Sequence, residues 1–438
     1  MKLHAAILSS AVGLAAALFC YSGRLTAADF ADLKMNTVVP AKGQPYDVAI
    51  STDGTQVAML SREFPKPSIE VTSDMIEVRD VQSGREAGVV ALPTMNWEKR
   101  TQFYMSPTLK YCDGGKYLLA FNGPDTLYVI DARSFQIHAS ILVSELRLRL
   151  GNETTGLRFA DIPMLSEVAM DCSAGSAVAA LGVWADMGVV SLKLFDLDKG
   201  SETADLGGIF QGRNERYTGD GMAISPDGSK LALGAWRFNG EGSVVELVDT
   251  RTRGFLKTLV LEDKTREEHQ LTFAGDGAVV AGASERQPNW FKPAPHGRTI
   301  RVWDFGGNGT VRTLGWPGTE TYRSFGGSAS GEVVFGYTGV ESYCDSCNGG
   351  SGELKIGDAR FTVWDRASWR AVARSPKLRV ASHSCPWIQI MGSCTEFELA
   401  PELRMSANGK AILAFWPGSF PPPDDGQGAA ELQVFRLP

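Results

Sequence analysis

Histidine is scarce in this chain, at five in 438 residues. Removing an N-terminal leader would leave four: His138, His269, His296 and His383. No Gly-x-Ser-x-Gly nucleophile elbow, His-Glu-x-x-His metal helix or Gly-x-x-x-x-Gly-Lys phosphate loop occurs, which removes the simplest signatures of serine hydrolases, zinc peptidases and P-loop enzymes. Gly349-Gly350-Ser351-Gly352 is glycine-rich but reads as a loop, not a strand-to-helix turn, so it is no dinucleotide fingerprint. Excess positive charge is also missing. The formal net charge is −7, and losing residues 1–28 removes Lys2 and Arg24 but no acid. That balance argues against a nucleic-acid partner, since such surfaces are usually basic. Beyond the first twenty residues no apolar run approaches the ~20 residues of a membrane span.

The one apolar run, Ala5 to Phe19, follows Lys2 and precedes the small residues Thr26-Ala27-Ala28, which reads as an export signal over residues 1–28. An uncleaved anchor is the alternative. Lipid attachment at Cys20 is disfavoured by the bulky Phe19 before it. The expected location is periplasmic or extracellular, with no membrane span after cleavage. Residues 29–438 are expected to form a single domain.

Glycine is plentiful at 48 residues, and it recurs in a pattern. An apolar strand meets a tight turn in Val48-Ala49-Ile50-Ser51-Thr52-Asp53-Gly54, in Met222-Ala223-Ile224-Ser225-Pro226-Asp227-Gly228 and in Leu271-Thr272-Phe273-Ala274-Gly275-Asp276-Gly277. Met405-Ser406-Ala407-Asn408-Gly409 repeats it, and weaker copies carry Asp113-Gly114-Gly115, Ser173-Ala174-Gly175 and Ser330-Gly331. Asp-Gly and Asn-Gly supply the positive φ that tight hairpins need.

A second element follows: alternating apolar residues ending in Asp80, Asp131, Asp196, Asp249, Asp304 and Asp365. Period-2 alternation predicts a strand with one buried face. With a further strand after it, each unit reads as a four-stranded antiparallel sheet, and the units number seven. The last unit stops at its third strand, residues 432–437, while residues 34–40 precede the first unit and belong to none. Pairing these two segments is expected to close an all-β ring and remove its exposed edge.

On these turns, and on Val302-Trp303-Asp304 and Val363-Trp364-Asp365, residues from about 30 to 438 resemble the bacterial WD-repeat-like propellers, which shade into YVTN-type surface propellers. No Gly-His pair precedes the strands, so the family's His–Asp network is not implied. The resemblance implies a seven-bladed β-propeller and a habit of binding, not a reaction.

In such a blade, second-to-third loops and blade-to-blade crossings share one face. The long segments here fall into that class: Ser61 to Asp74, Met95 to Gln102, Glu145 to Met164, Ser284 to Arg298, Thr338 to Arg360, Pro376 to Thr395 and Pro417 to Ala429. Long loops on a rigid scaffold are where binding concentrates. The candidate binding residues are Trp97, Arg100, Trp290, His296, His383, Trp387 and Phe420, with packing beneath their own loops as the plainer role. The expected partner is a protein, a peptide or a glycan. No cofactor and no catalytic residue are assigned. Asp220, Glu267, Glu268 and His269 near inner-strand starts read as solvated charge. The alternative is a propeller enzyme or enzyme subunit, similar to lactone hydrolases or to the large subunits of quinone-cofactor amine dehydrogenases.

Six cysteines follow the leader. Cys344, Cys347, Cys385 and Cys394 lie in segments expected to be neighbours, and an exported chain favours disulfides over a four-thiolate zinc site. Asn348 stands where haem attachment needs histidine. Cys112 and Cys172 precede Gly115 and Gly175 by three residues each, and their pairing is left open.

Overall fold

A computed structural model describes residues 31–33, 35–38, 44–63, 73–93, 108–121, 126–142, 146–150, 153–157, 167–185, 188–210, 215–237, 243–261, 270–283, 299–306, 311–314, 320–342, 355–379, 381–383, 397–399, 401–416 and 430–437. Apart from two short 3-10 turns, the elements are strands, paired antiparallel.

Taken in chain order of their first strands, the large sheets follow the repeat. Sheet 1 is Gln44–Ile50, Gln56–Glu63, Ser73–Asp80 and Glu86–Leu92. Sheet 2 is Thr108–Cys112, Tyr117–Phe121, Thr126–Asp131 and Gln136–Leu142. Sheet 3 is Glu167–Cys172, Val178–Ala185, Gly188–Asp196 and Ser201–Asp205. Sheet 4 is Glu215–Ile224, Lys230–Arg237, Ser243–Asp249 and Gly254–Leu261. Sheet 5 is Gln270–Phe273, Ala278–Ala283, Thr299–Asp304 and Val311–Leu314. Sheet 6 is Glu320–Gly327, Val333–Ser342, Lys355–Asp365 and Arg370–Arg374, with Ala31–Asp32 added as a fifth strand. Sheet 7 is Glu402–Met405, Ala411–Trp416 and Glu431–Arg436, with Met35–Val38 as its outer strand.

The expectation of seven four-stranded sheets is therefore corrected: six have four strands and one has five. The outer edge of Arg370–Arg374 offers free backbone groups, and Ala31–Asp32 takes them up. Of the segment 34–40, it is Met35–Val38 that pairs, with Met35 opposite Phe435, Thr37 opposite Val434 and Val38 opposite Gln433.

Two hairpins add to this plan, Leu146–Leu150 with Glu153–Leu157 and Ala381–His383 with Phe397–Leu399. The first hairpin and the strand Ala381–His383 fall in segments expected to be loops. Thr338 to Arg360 is likewise shorter as a loop than expected, because the strands run on to Ser342 and resume at Lys355.

The turns explain why the units fold alike. At the end of the first strand the Ser51 hydroxyl donates to Asp53 Oδ1 at 2.7 Å, and the Gln56 N–H donates back to Ser51 Oγ at 2.9 Å. Ser225 with Asp227 and Ser406 with Asn408 make the same bonds, so Ser-x-Asp/Asn-Gly is a self-contained turn. At the end of the third strand, Asp80, Asp131, Asp196, Asp249 and Asp365 each accept the N–H three residues on. The next residue has positive φ: Gly84, Phe135, Gly200, Arg253 and Trp369. The strand-terminal aspartates thus cap local turns.

Packing occurs between sheets. Val48, Ile50, Val57 and Met59 of sheet 1 join Ala411, Leu413, Phe415, Leu432 and Val434 of sheet 7. The alternate residues Ala49, Ala58, Leu60 and Ile76 join Leu109, Leu118 and Ala120 of sheet 2. Further clusters join sheets 2 and 3, 3 and 4, 4 and 5, 5 and 6, and 6 and 7. Inner strands such as Tyr117–Phe121 and Thr126–Asp131 are therefore buried on both faces, which corrects the one-buried-face reading for the third strands, while the fourth strands bury one face. Two charged residues on the third strands are buried and partnered: Glu77 (1% exposed) with Arg79, and Lys193 (2% exposed) with Glu202 at 3.0 Å.

Candidate functional site

First strands carry few charges, because each is flanked on both sides by apolar neighbours. Asp47, Lys110, Asp171, Glu402 and Arg404 are charged residues on these strands whose partners the structure places. At the equivalent level of the seven first strands stand Ala49, Lys110, Asp171, Ala223, Thr272, Gly326 and Arg404, as their pairings with second-strand residues fix. Lys110 Nζ lies 2.7 Å from Asp171 Oδ1. Arg404 reaches Glu402 at 2.9 Å and Asp47 at 3.8 Å.

The two aspartates do the same work. Asp47 accepts the N–H of Val48 at 2.8 Å and, from sheet 2, that of Leu109 at 2.7 Å. Asp171 accepts the N–H of Cys172 at 2.9 Å and, from sheet 4, that of Ile224 at 2.8 Å. Each carboxylate takes an N–H that the neighbouring first strand leaves free on its inner edge. Asp47 is nearly enclosed, at 7% exposure. Burial pushes its carboxyl up to about 7; Arg404 opposes this, Glu402 adds to it, and the Val48 and Leu109 N–H groups oppose it.

At the turn end of the first strands, hydrogen bonds pass from sheet to sheet. Gly114 N–H donates to Ala174 O (2.6 Å), Gly175 to Pro226 O (2.8 Å) and Asp227 N–H to Asp276 Oδ1 (2.8 Å). Gly275 donates to Ser328 O (2.9 Å), Ala329 to Ala407 O (2.8 Å) and Asn408 to Thr52 O (3.0 Å). Between sheets 2 and 3 the Tyr117 hydroxyl also donates to Asp198 Oδ1 at 2.8 Å, and Lys116 pairs with the same carboxylate.

Cys112 and Cys172 form a disulfide across sheets 2 and 3, with Cα atoms 5.7 Å apart. They are one step out of equivalence: Cys112 stands opposite Tyr117, whereas Cys172 stands opposite Ala179, one pair before the turn.

Trp97, Arg100, Trp290, His296, Trp387 and Phe420 lie outside the described residues, as do Cys344, Cys347, Cys385, Cys394, Glu267, Glu268 and His269. His383 ends the strand Ala381–His383, opposite Phe397. The strand Phe397–Leu399 of that hairpin touches Lys355–Asp365 of sheet 6. Asp220 lies in the first strand of sheet 4, in a stretch where pairing is interrupted between Tyr217 and Met222. Among the described residues, no group of three or more His, Cys, Asp or Glu is placed to hold a metal ion, and no helix is long and apolar enough to cross a membrane.

Sequence reasoning missed the inner charges. Asp47 and Arg404 come from opposite ends of the chain, and the only signal was that acids interrupt otherwise apolar first strands.

No family model matches the chain, and no curated protein matches it. Among solved structures, the β-propeller domain of Cps50 (Swd1) from Myceliophteria thermophila is similar at TM-score 0.52 and 11% identity, covering 93% of this chain and 100% of that one. Kuenenia stuttgartiensis hydrazine synthase is similar at TM-score 0.50 and 13% identity, covering 93% of this chain and 97% of that one. At these identities the likeness concerns the fold alone, and with the sheets described above it makes this chain a β-propeller of four-stranded antiparallel blades.

Proposed function

We propose that the chain is an exported seven-bladed propeller, closed by Met35–Val38 on the last blade, that binds a protein, peptide or glycan without catalysing a reaction. Support for closure comes from the apolar cluster and the Asn408-to-Thr52 bond that join sheet 7 to sheet 1, as other clusters and bonds join each earlier pair. Each sheet then has two neighbours, and the two chain ends are held in one sheet.

The observation that carries the binding role is the distribution of chain length. First-to-second turns are short throughout, whereas the long segments follow second strands or run between sheets. In an antiparallel sheet both kinds leave from the same end. A rigid ring with its variable segments on one side suits recognition. The Cys112–Cys172 bridge supports export, and we assign Cys344, Cys347, Cys385 and Cys394 to two further disulfides. Screening the purified chain against peptide libraries and glycan arrays tests the role. A selective ligand whose retention falls at least tenfold in Trp290→Ala with Trp387→Ala, at unchanged melting temperature, supports it. Equal retention by both proteins contradicts it.

A further inference from the structure

The charged groups of the innermost strands are unevenly matched where sheet 7 meets sheet 1. Two carboxylates, Asp47 and Glu402, face one guanidinium, Arg404. Arg404 makes its hydrogen bond to Glu402 and stands off from Asp47 by 3.8 Å. Glu402 is about half exposed, so water and Arg404 both support its charge, while the Asp47 side chain is only 10% exposed. From sheet 2 Asp47 meets the Leu109 N–H, and Lys110 on that strand is engaged with Asp171. From its own sheet the residue opposite is Leu60. Among the described residues no second cation compensates it.

We propose that Asp47 is a proton-operated latch between the last blade and the first two, bound tightest when its carboxyl is neutral and loosened when it ionises. Burial and Glu402 outweigh the Val48 and Leu109 N–H groups, which favour the ionised form; a neutral carboxyl still accepts both N–H groups and no longer competes with Glu402 for Arg404. An ionised one places a buried negative charge beside Glu402. The device sits at the joint where chain start and chain end meet, so it would couple proton concentration near neutrality to the firmness of the ring.

The sign follows from linkage. The folded carboxyl titrates at about 7, above the ~3.9 of an unfolded aspartate. The folded state therefore holds one more proton between those values, and stability falls as pH rises through that window.

The test is urea unfolding of the full chain at pH steps from 5 to 8.5. Wild type should lose midpoint concentration progressively up to about pH 7 and then level. Asp47→Asn should flatten that slope. Glu402→Gln, a change at a half-exposed position, should free Arg404 for Asp47 and move the levelling point down by about 0.5–1 pH unit. If Asp47→Asn fails to fold, the Glu402→Gln shift alone decides. A wild-type midpoint independent of pH over this range, or an unmoved levelling point in Glu402→Gln, overturns the proposal.

Discussion

The backbone N–H of Leu109 donates to Oδ2 of Asp47 across 2.7 Å, from the second sheet to the first. Ile224 and Asp171 repeat the relationship between the third and fourth sheets. First strands present unpaired backbone groups along their inner edge, and a buried carboxyl oxygen there satisfies a donor while tying two sheets together.

Removing such a tie has a definite cost. Asp171→Ala leaves the Cys172 and Ile224 N–H groups and the Lys110 ammonium without their acceptor. Equilibrium unfolding should show a loss of about 2–4 kcal/mol. A loss below about 0.5 kcal/mol would mean that water replaces the carboxylate freely.

The Cys112–Cys172 bridge spans 60 positions of sequence. Restricting a chain loop of that size contributes about 4 kcal/mol in the entropic account. Cys112→Ala with Cys172→Ala should therefore unfold at distinctly lower urea, and reductant should lower the wild-type midpoint by more than that of the variant, which keeps the four other cysteines of the mature chain. Equal midpoints with and without reductant would remove the bridge from the stability of sheets 2 and 3.

Much of this fold was legible because its determinants are local. Ser51, Asp53 and Gly54 lie within four residues and complete a turn unaided, so their repetition marks each unit. The strand-ending aspartates were equally visible, although their work is to cap turns. What could not be read was the surroundings of each strand. Alternation in Ile76-Glu77-Val78-Arg79 suggests an exposed polar face, yet Glu77 is buried because sheet 7 lies against that side. Likewise nothing near Asp47 in sequence announces Arg404. The segments that held most candidate binding residues lack a repeat of their own, so the sequence offered no register or turn chemistry from which to read them.

Acid should act on the turns. The Ser83 N–H holds Asp80 below the usual carboxylate range, the Ser134 N–H does so for Asp131 and the Thr252 N–H for Asp249. Burial would raise Asp227, but bonds from Ser225 and Ser229 outweigh it and bring it to about 2. Folded values depressed in this way supply stability above the unfolded value near 4, which is lost as pH falls through them. Thermal melting from pH 6 to 2 should thus decline below about pH 4, and Asp227→Asn should shallow that decline. A melting temperature unchanged down to pH 2.5 would refute the assignment.

Gly54 has φ +75°, and a Cβ placed there would lie 2.6 Å from Cβ of Ala411 in sheet 7. Gly54→Ala combines a strained backbone with a clash at the joint between sheets 7 and 1. It should cost about 1–3 kcal/mol by urea unfolding. A neutral result would show that this joint is looser than described.

The ring itself is tested most directly by covalent capture of its two chain ends. Thr37 stands opposite Val434, a spacing that a disulfide can bridge. With Thr37→Cys and Val434→Cys introduced together, mild oxidation should yield a peptide linking residues 37 and 434 in mass spectra of the folded protein, and raise its urea midpoint. Two free thiols at those positions in a folded, oxidised chain would contradict the closed propeller.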